Sequence, residues 1–171
     1  MIEVTPRRTR MHVAEEWFTF KCIYTYIECM STPRQIGQQC LMFNSRRAAR
    51  YLTRAYEREL RNADLTGGQF SILATLAGRG AMAISPLANA LGMDRTSLTR
   101  TLTPLQRRGF ISIETDTLDS RSKRVRLTNA GRDIFDRAVP SWQISQEALS
   151  AKVTPTELEQ FLHVLNKLIG D

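Results

Sequence analysis

The chain has 171 residues, long enough for a domain with a real apolar core. Lys and Arg number 24 against 17 Asp and Glu, a formal net charge of +7 that favours a polyanionic partner. No apolar run approaches the ~20 residues needed to cross a bilayer. Three cysteines (Cys22, Cys29, Cys40) without an export signal fit reduced thiols in a cytoplasm.

Residues 1–33 read as an N-terminal extension. The opening MIEVTPRRTR has no apolar period, whereas Trp17, Phe20, Tyr24 and Ile27 recur at helical steps and predict one amphipathic helix over 12–29. Trp17 to Met30 is apolar but carries Lys21 and Glu28, with no small-residue cleavage site behind it, and does not read as a signal peptide. Met11 and Met30 are alternative start positions.

Pro33 precedes a stretch predicted to be one long helix, roughly 34–62. Leu41, Ser45, Ala48, Leu52, Tyr56 and Leu60 form its stripe, and Arg46, Arg47, Arg50, Arg54, Arg58 and Arg61 lie largely off it. Thr66-Gly67-Gly68-Gln69 has capping-box spacing and opens a second helix ending near Gly78–Gly80. Ser85-Pro86 reads as an N-cap followed by proline at the first position of a short third helix that stops at Gly92. Asp94 is the expected N-cap of a fourth. There Leu98, Leu102 and Leu105 face the core, leaving Arg95, Thr96, Ser97, Thr99, Arg100 and Thr103 on the other surface. Pro104 should bend its second half.

Gly109 is suited to end that helix in the left-handed conformation. Ile111 and Ile113, then Val125 and Leu127, alternate with polar residues, so two strands flank a long polar hairpin tip over Asp116–Ser122. Thr128 is placed to cap a helix over about 129–151, with Pro140 as a kink. Thr154-Pro155-Thr156-Glu157 combines a capping box with proline at the first position. It opens a last helix with Leu158, Phe161, Leu162, Leu165 and Leu168 on one face.

The positive charge is concentrated. Residues 94–132 hold nine Lys or Arg against four acids, a local excess of five. Short hydroxyls and guanidiniums at the N-terminal end of a helix are the groups a recognition helix sets against base edges. A basic hairpin beside it would give a second contact with duplex DNA. Thr96, Ser97 and Arg100 are the candidates for major-groove readout, with Thr99 and Thr103 on the same surface and Arg95 close to phosphate or a base edge. Arg121 at the hairpin tip is the candidate for the minor groove, and Lys123 and Arg124 for the phosphates.

The order of four helices, hairpin and two helices resembles the MarR family of winged helix-turn-helix transcriptional regulators over roughly 34–169. The strongest signature is Asp119-Ser120-Arg121 followed by Leu127-Thr128-Asn129-Ala130-Gly131, similar to the family's D-x-R…L-T-x-x-G pattern; Leu98-Thr99-Arg100 matches an LTR-like step. The resemblance implies a mainly α (α+β) fold. Its winged helix-turn-helix DNA-binding domain would span 65–128, with 34–64 and 129–171 as a helical dimerisation region. It also implies an obligate homodimer on a pseudo-palindromic operator, with Asp119 orienting Arg121. The apolar stripes at the two helical ends, more than a small winged domain needs to cover itself, point to pairing independently.

Many members of that family bind small, often phenolic effectors, and Phe43, Tyr51, Phe70 and Trp142 are the aromatic candidates for such a pocket. The function expected is a repressor released by a small effector. Some relatives carry a reactive cysteine on the first helix, which makes redox sensing through Cys40 an alternative; a DNA-free dimerisation adaptor is another. Histidine occurs only at His12 and His163, and no catalytic triad, paired-carboxylate or phosphate-loop motif is present, so no enzyme is expected. The cysteine spacing does not match structural zinc, and no metal or cofactor is expected.

Overall fold

A computed structural model of the protein describes residues 33–115 and 122–170. The chain divides into two units, before and after the Arg50–Tyr51 junction. The first holds helix α1 (Pro33–Gln39) and the start of α2 (Leu41–Leu60). The single helix expected over 34–62 is therefore interrupted at Cys40. The Cys40 Sγ accepts from the Phe43 N–H at 3.5 Å, and the Asn44 amide donates to the carbonyls of Gln38 at 3.1 Å and Cys40 at 3.0 Å. One side chain thus caps the start of α2 while the other satisfies carbonyls at the end of α1. Without glycine or proline at the break, this was not readable as a stop.

In the second unit, α2 ends in a 3₁₀ turn (Arg61–Ala63), and Asp64 takes the left-handed conformation at φ 53°. Then follow α3 (Gly67–Arg79), β1 (Met82–Ala83), α4 (Ile84–Ala90), α5 (Arg95–Arg107), β2 (Ile111–Thr115), β3 (Lys123–Leu127), α6 (Asn129–Ser150) and α7 (Pro155–Ile169). The capping boxes at Thr66 and Thr154 are both formed, and the Asp94 and Thr128 side chains each accept a helix N–H. Ser85 is not a cap. The helix begins at Ile84 after Ala83, and Pro86 is its third residue, still within the first turn where a missing N–H breaks no helical bond. Both α5 and α6 run on through Pro104 and Pro140.

The sheet has the order β1-β3-β2, all antiparallel, with Ile111 opposite Leu127 and Thr115 opposite Lys123 in the wing hairpin. Two-residue β1, too short for any alternation, pairs Met82 with Val125. The core gathers Leu60 and Leu65, the apolar face of α3, Leu87 of α4, the three leucines of α5, Ile111 and Val125 of the sheet, and Ile134 and Ala138 of α6.

At the root of the hairpin several elements meet. α5 ends in a Schellman motif: Gly109 N–H donates to Gln106 O at 2.9 Å and Phe110 N–H to Leu105 O at 3.0 Å, with Gly109 at φ 72°. Thr128 donates from its N–H to Phe110 O at 3.1 Å and from its hydroxyl to Gly109 O at 2.7 Å, while its Oγ1 accepts from Gly131 N–H at 3.0 Å. A Cβ on Gly131 would lie 1.9 Å from the Phe110 carbonyl oxygen, so the first turn of α6 sits this close only because residue 131 has no side chain.

Gly131→Ala is therefore expected to destabilise the fold by about 1–3 kcal/mol or more in denaturant melts, as overpacking against backbone does. Gly78→Ala, in a helix with open space at its Cβ, should be neutral or stabilising by up to ~1 kcal/mol. Equal stability of the two variants would contradict this account of the hairpin root. The Asp94 cap is tested by pH. The Ser97 hydroxyl first, and the Ser97 N–H second, hold its carboxyl below the ordinary value of 3.8. A depressed folded value means the stabilisation is present above that ordinary value and is lost as pH falls through the folded one. Wild type should exceed Asp94→Asn in melting temperature at pH 7 and converge with it as pH falls below 3.8. A constant gap would show that the charge plays no part.

Candidate nucleic-acid interface

The surface of α5 is set by what its opposite side buries. Leu98, Leu102 and Leu105 are 0%, 1% and 0% exposed, against residues of α3, α4 and β2. At 100° per residue their stripe turns Thr96, Arg100 and Thr103 outward, with Arg95 and Thr99 on the flank; all five are exposed and Ser97 is half-buried. Ser97 is committed to the cap: its N–H donates to Asp94 Oδ1 at 2.8 Å and its hydroxyl to Oδ2 at 2.7 Å. Thr99 and Thr103 hydroxyls donate back to the carbonyls of Arg95 and Thr99 at 2.7 and 2.9 Å.

On the wing, Lys123 and Arg124 are exposed on β3. Arg124 also donates to Ala81 O at 2.8 Å, across the sheet. Asp119 and Arg121 lie outside the described residues. Arg108 is one of the nine Lys or Arg of residues 94–132. In the structure it closes the second unit on itself, donating to Asp64 O at 2.7 Å and pairing with Asp64 Oδ2 at 2.9 Å, with its guanidinium 4.6 Å from the Phe110 ring centre. That bond holds the end of α5 to the turn before α3, and nothing in the local sequence marks a partner 44 residues away.

The four aromatic candidates do not share one place. Phe70 is buried in the core, where it stacks on half-buried Trp142 at 6.4 Å and meets Phe135 at a tilt at 5.5 Å. Phe43 is exposed on the portion of α2 in the first unit. Tyr51 is exposed and lines an open cleft of about 410 Å³ between α2 and α6, with Arg54, Arg58, Glu59, Ile144, Leu149 and Lys152. Lys152 bonds the Tyr51 hydroxyl and lies 4.8 Å from the ring centre. That bond first, then the lysine's charge, holds the phenol below its ordinary value. The arginines were visible in sequence as residues off the apolar stripe, but Lys152 has no sequence signal linking it to them. Cys40, half-buried, is a free thiol whose sulfur accepts the Phe43 N–H. Among the described residues no helix is long and apolar enough to cross a membrane.

The MarR family model matches residues 65–123, which run from the first residue before the α3 cap to the start of β3. The transcriptional regulator MosR of M. tuberculosis, solved in complex with DNA, is 36% identical, with a TM-score of 0.68 over 76% of this chain and 96% of that one. BpsR of Bordetella bronchiseptica, whose DNA binding is regulated by 6-hydroxynicotinic acid, is 22% identical at a TM-score of 0.70 over 76% and 93%. A cysteine-to-serine mutant of E. coli MarR in complex with operator DNA is 22% identical at 0.70 over 78% and 96%; the latter two matches show the fold alone. A helix pair whose second member turns hydroxyls and guanidiniums to solvent, a three-stranded wing and near-complete coverage of a relative above a third identity lead to one conclusion: the chain belongs to the MarR family of DNA-binding, winged-helix transcriptional regulators.

Proposed function

We propose that the protein is a homodimeric repressor that binds a pseudo-palindromic duplex operator in the cytoplasm and is released by a small aromatic effector. The observation that carries the DNA-binding part is the outward face of α5, where Arg95, Thr96, Thr99, Arg100 and Thr103 are exposed over a fully buried leucine stripe. In this reading 65–128 is the DNA-binding domain, while 34–64 and 129–171 pair two copies. Thr96, Ser97 and Arg100 meet base edges in the major groove, and Arg95 a phosphate or base edge. Arg121, oriented by Asp119, enters the minor groove, and Lys123 and Arg124 hold phosphates.

The dimer is supported by apolar surface left uncovered. On α7, Phe161, Leu162, Val164, Leu165, Leu168 and Ile169 are all exposed, Leu168 to 63%. In the first unit Ile36, Leu41, Met42 and Phe43 are exposed as well. A contiguous apolar helix face of this kind marks an association surface. Two copies related by a two-fold axis would present their α5 helices about one duplex turn (~34 Å) apart.

The effector reading is supported by the cleft at Tyr51, whose size suits a small ligand and whose Arg54, Arg58 and Lys152 suit an acid. BpsR, controlled by a small heteroaromatic acid, is a precedent on the same fold.

Two measurements test this. Arg121→Ala is expected to weaken binding to a duplex selected by the wild-type protein by ~1–3 kcal/mol, read by fluorescence anisotropy at several salt concentrations; unchanged affinity at all of them counts against the wing contact. Leu168→Glu should turn a dimer into a folded monomer by light scattering and reduce affinity for the same duplex. A variant that stays dimeric removes α7 from the interface.

A further inference from the structure

The hydroxyls on α5 are not equally available to DNA. A carbonyl oxygen has no proton to give, so the bonds from Thr99 Oγ1 to Arg95 O at 2.7 Å and from Thr103 Oγ1 to Thr99 O at 2.9 Å each use the hydroxyl hydrogen inside the helix. The hydroxyl hydrogen of Ser97 is likewise spent on Asp94 Oδ2 at 2.7 Å. Thr96, by contrast, has a hydroxyl with no partner among the described residues, and so keeps both donor and acceptor.

With Oγ1 folded back over the helix, what Thr99 and Thr103 offer outward is the Cγ2 methyl, and both residues are exposed. Being four apart they form one row, with Cβ atoms about 5–6 Å from each other. That distance spans less than two base steps of ~3.4 Å. The only apolar group on a major-groove base edge is the C5-methyl of thymine.

We propose that Thr99 and Thr103 are specificity determinants that select thymine by methyl-to-methyl contact, at two positions within two base steps of each other in each half-site of the bound duplex. Hydrogen-bond donation to base edges is left to Thr96 and the guanidiniums of Arg95 and Arg100, while Ser97 can only accept, through its Oγ. The inference rests on α5 being the element that enters the major groove, as proposed above.

The test begins with selection of a duplex from a random-sequence library by the full chain. Each thymine of the selected site is then replaced singly by deoxyuridine, which pairs identically but lacks the methyl. In each half-site, two replacements within two steps of each other should each weaken binding by about three- to five-fold, the worth of one buried methyl-sized group. That thymine-to-deoxyuridine ratio should fall to about one for one position in Thr99→Ser and for the other in Thr103→Ser. Serine retains the back-bonding hydroxyl and loses only the methyl. In the two Thr→Val variants the ratio should persist, whatever their absolute affinity. The inference is overturned if no deoxyuridine replacement matters, or if Thr→Ser leaves the ratio unchanged. Selection that enriches no sequence is a different failure: it overturns sequence-specific DNA binding itself and this inference with it.

Discussion

Burial of three leucines on one side of α5 is the constraint on which the rest depends. Leu98, Leu102 and Leu105 are essentially inaccessible, and burying each contributes roughly 1.5–3 kcal/mol relative to exposure. Rotating the helix by one residue, or 100°, would withdraw that contribution and force a threonine or arginine inward without partners. Packing therefore decides which side chains face out, before any of them meets a ligand. The ends are held as firmly, by the Asp94 cap at one and the Schellman turn at Gly109 at the other.

The hairpin root extends this fixation to the wing and to α6. Phe110 closes the Schellman turn with its N–H and accepts the Thr128 N–H with its carbonyl, and the same carbonyl occupies the space a side chain on residue 131 would need. A displacement of the first turn of α6 must therefore carry the end of α5 with it. The Leu127-Thr128-x-x-Gly131 pattern that carries the resemblance in sequence is, physically, a threonine that caps one helix while bonding the end of another, plus a glycine that lets them touch. Arg108 adds a third tie, to the left-handed turn at Asp64.

What was legible in the sequence is what local physics controls. The caps at Thr66, Asp94, Thr128 and Thr154, the leucine stripe and the two alternating strands all follow from side chains within a few residues of one another, and all are formed. The misses have equally specific causes. The break at Cys40 is made by a sulfur and an asparagine amide, neither a standard stop signal. Ser85 has the right chemistry for a cap, yet the chain turned into the helix one residue earlier. β1 exists only because Val125 and Arg124 supply a partner edge. Among the site residues, exposure on α5 was readable from periodicity. The withdrawal of the Ser97, Thr99 and Thr103 hydroxyl hydrogens was not, because composition alone does not say which bonds a hydroxyl has already made. Phe70 and Trp142, chosen as aromatic, found each other in the core.

The central claim is that α5 occupies a major groove while the wing reaches the adjacent minor groove. Dimethyl sulfate reports both, because it methylates guanine N7 in the major groove and adenine N3 in the minor groove. On a duplex selected by the full chain, bound protein should protect two clusters of guanine N7, one duplex turn apart, each flanked on its outer side by protected adenine N3. Protection confined to one groove, or no protection beyond what non-specific coverage produces, would contradict it.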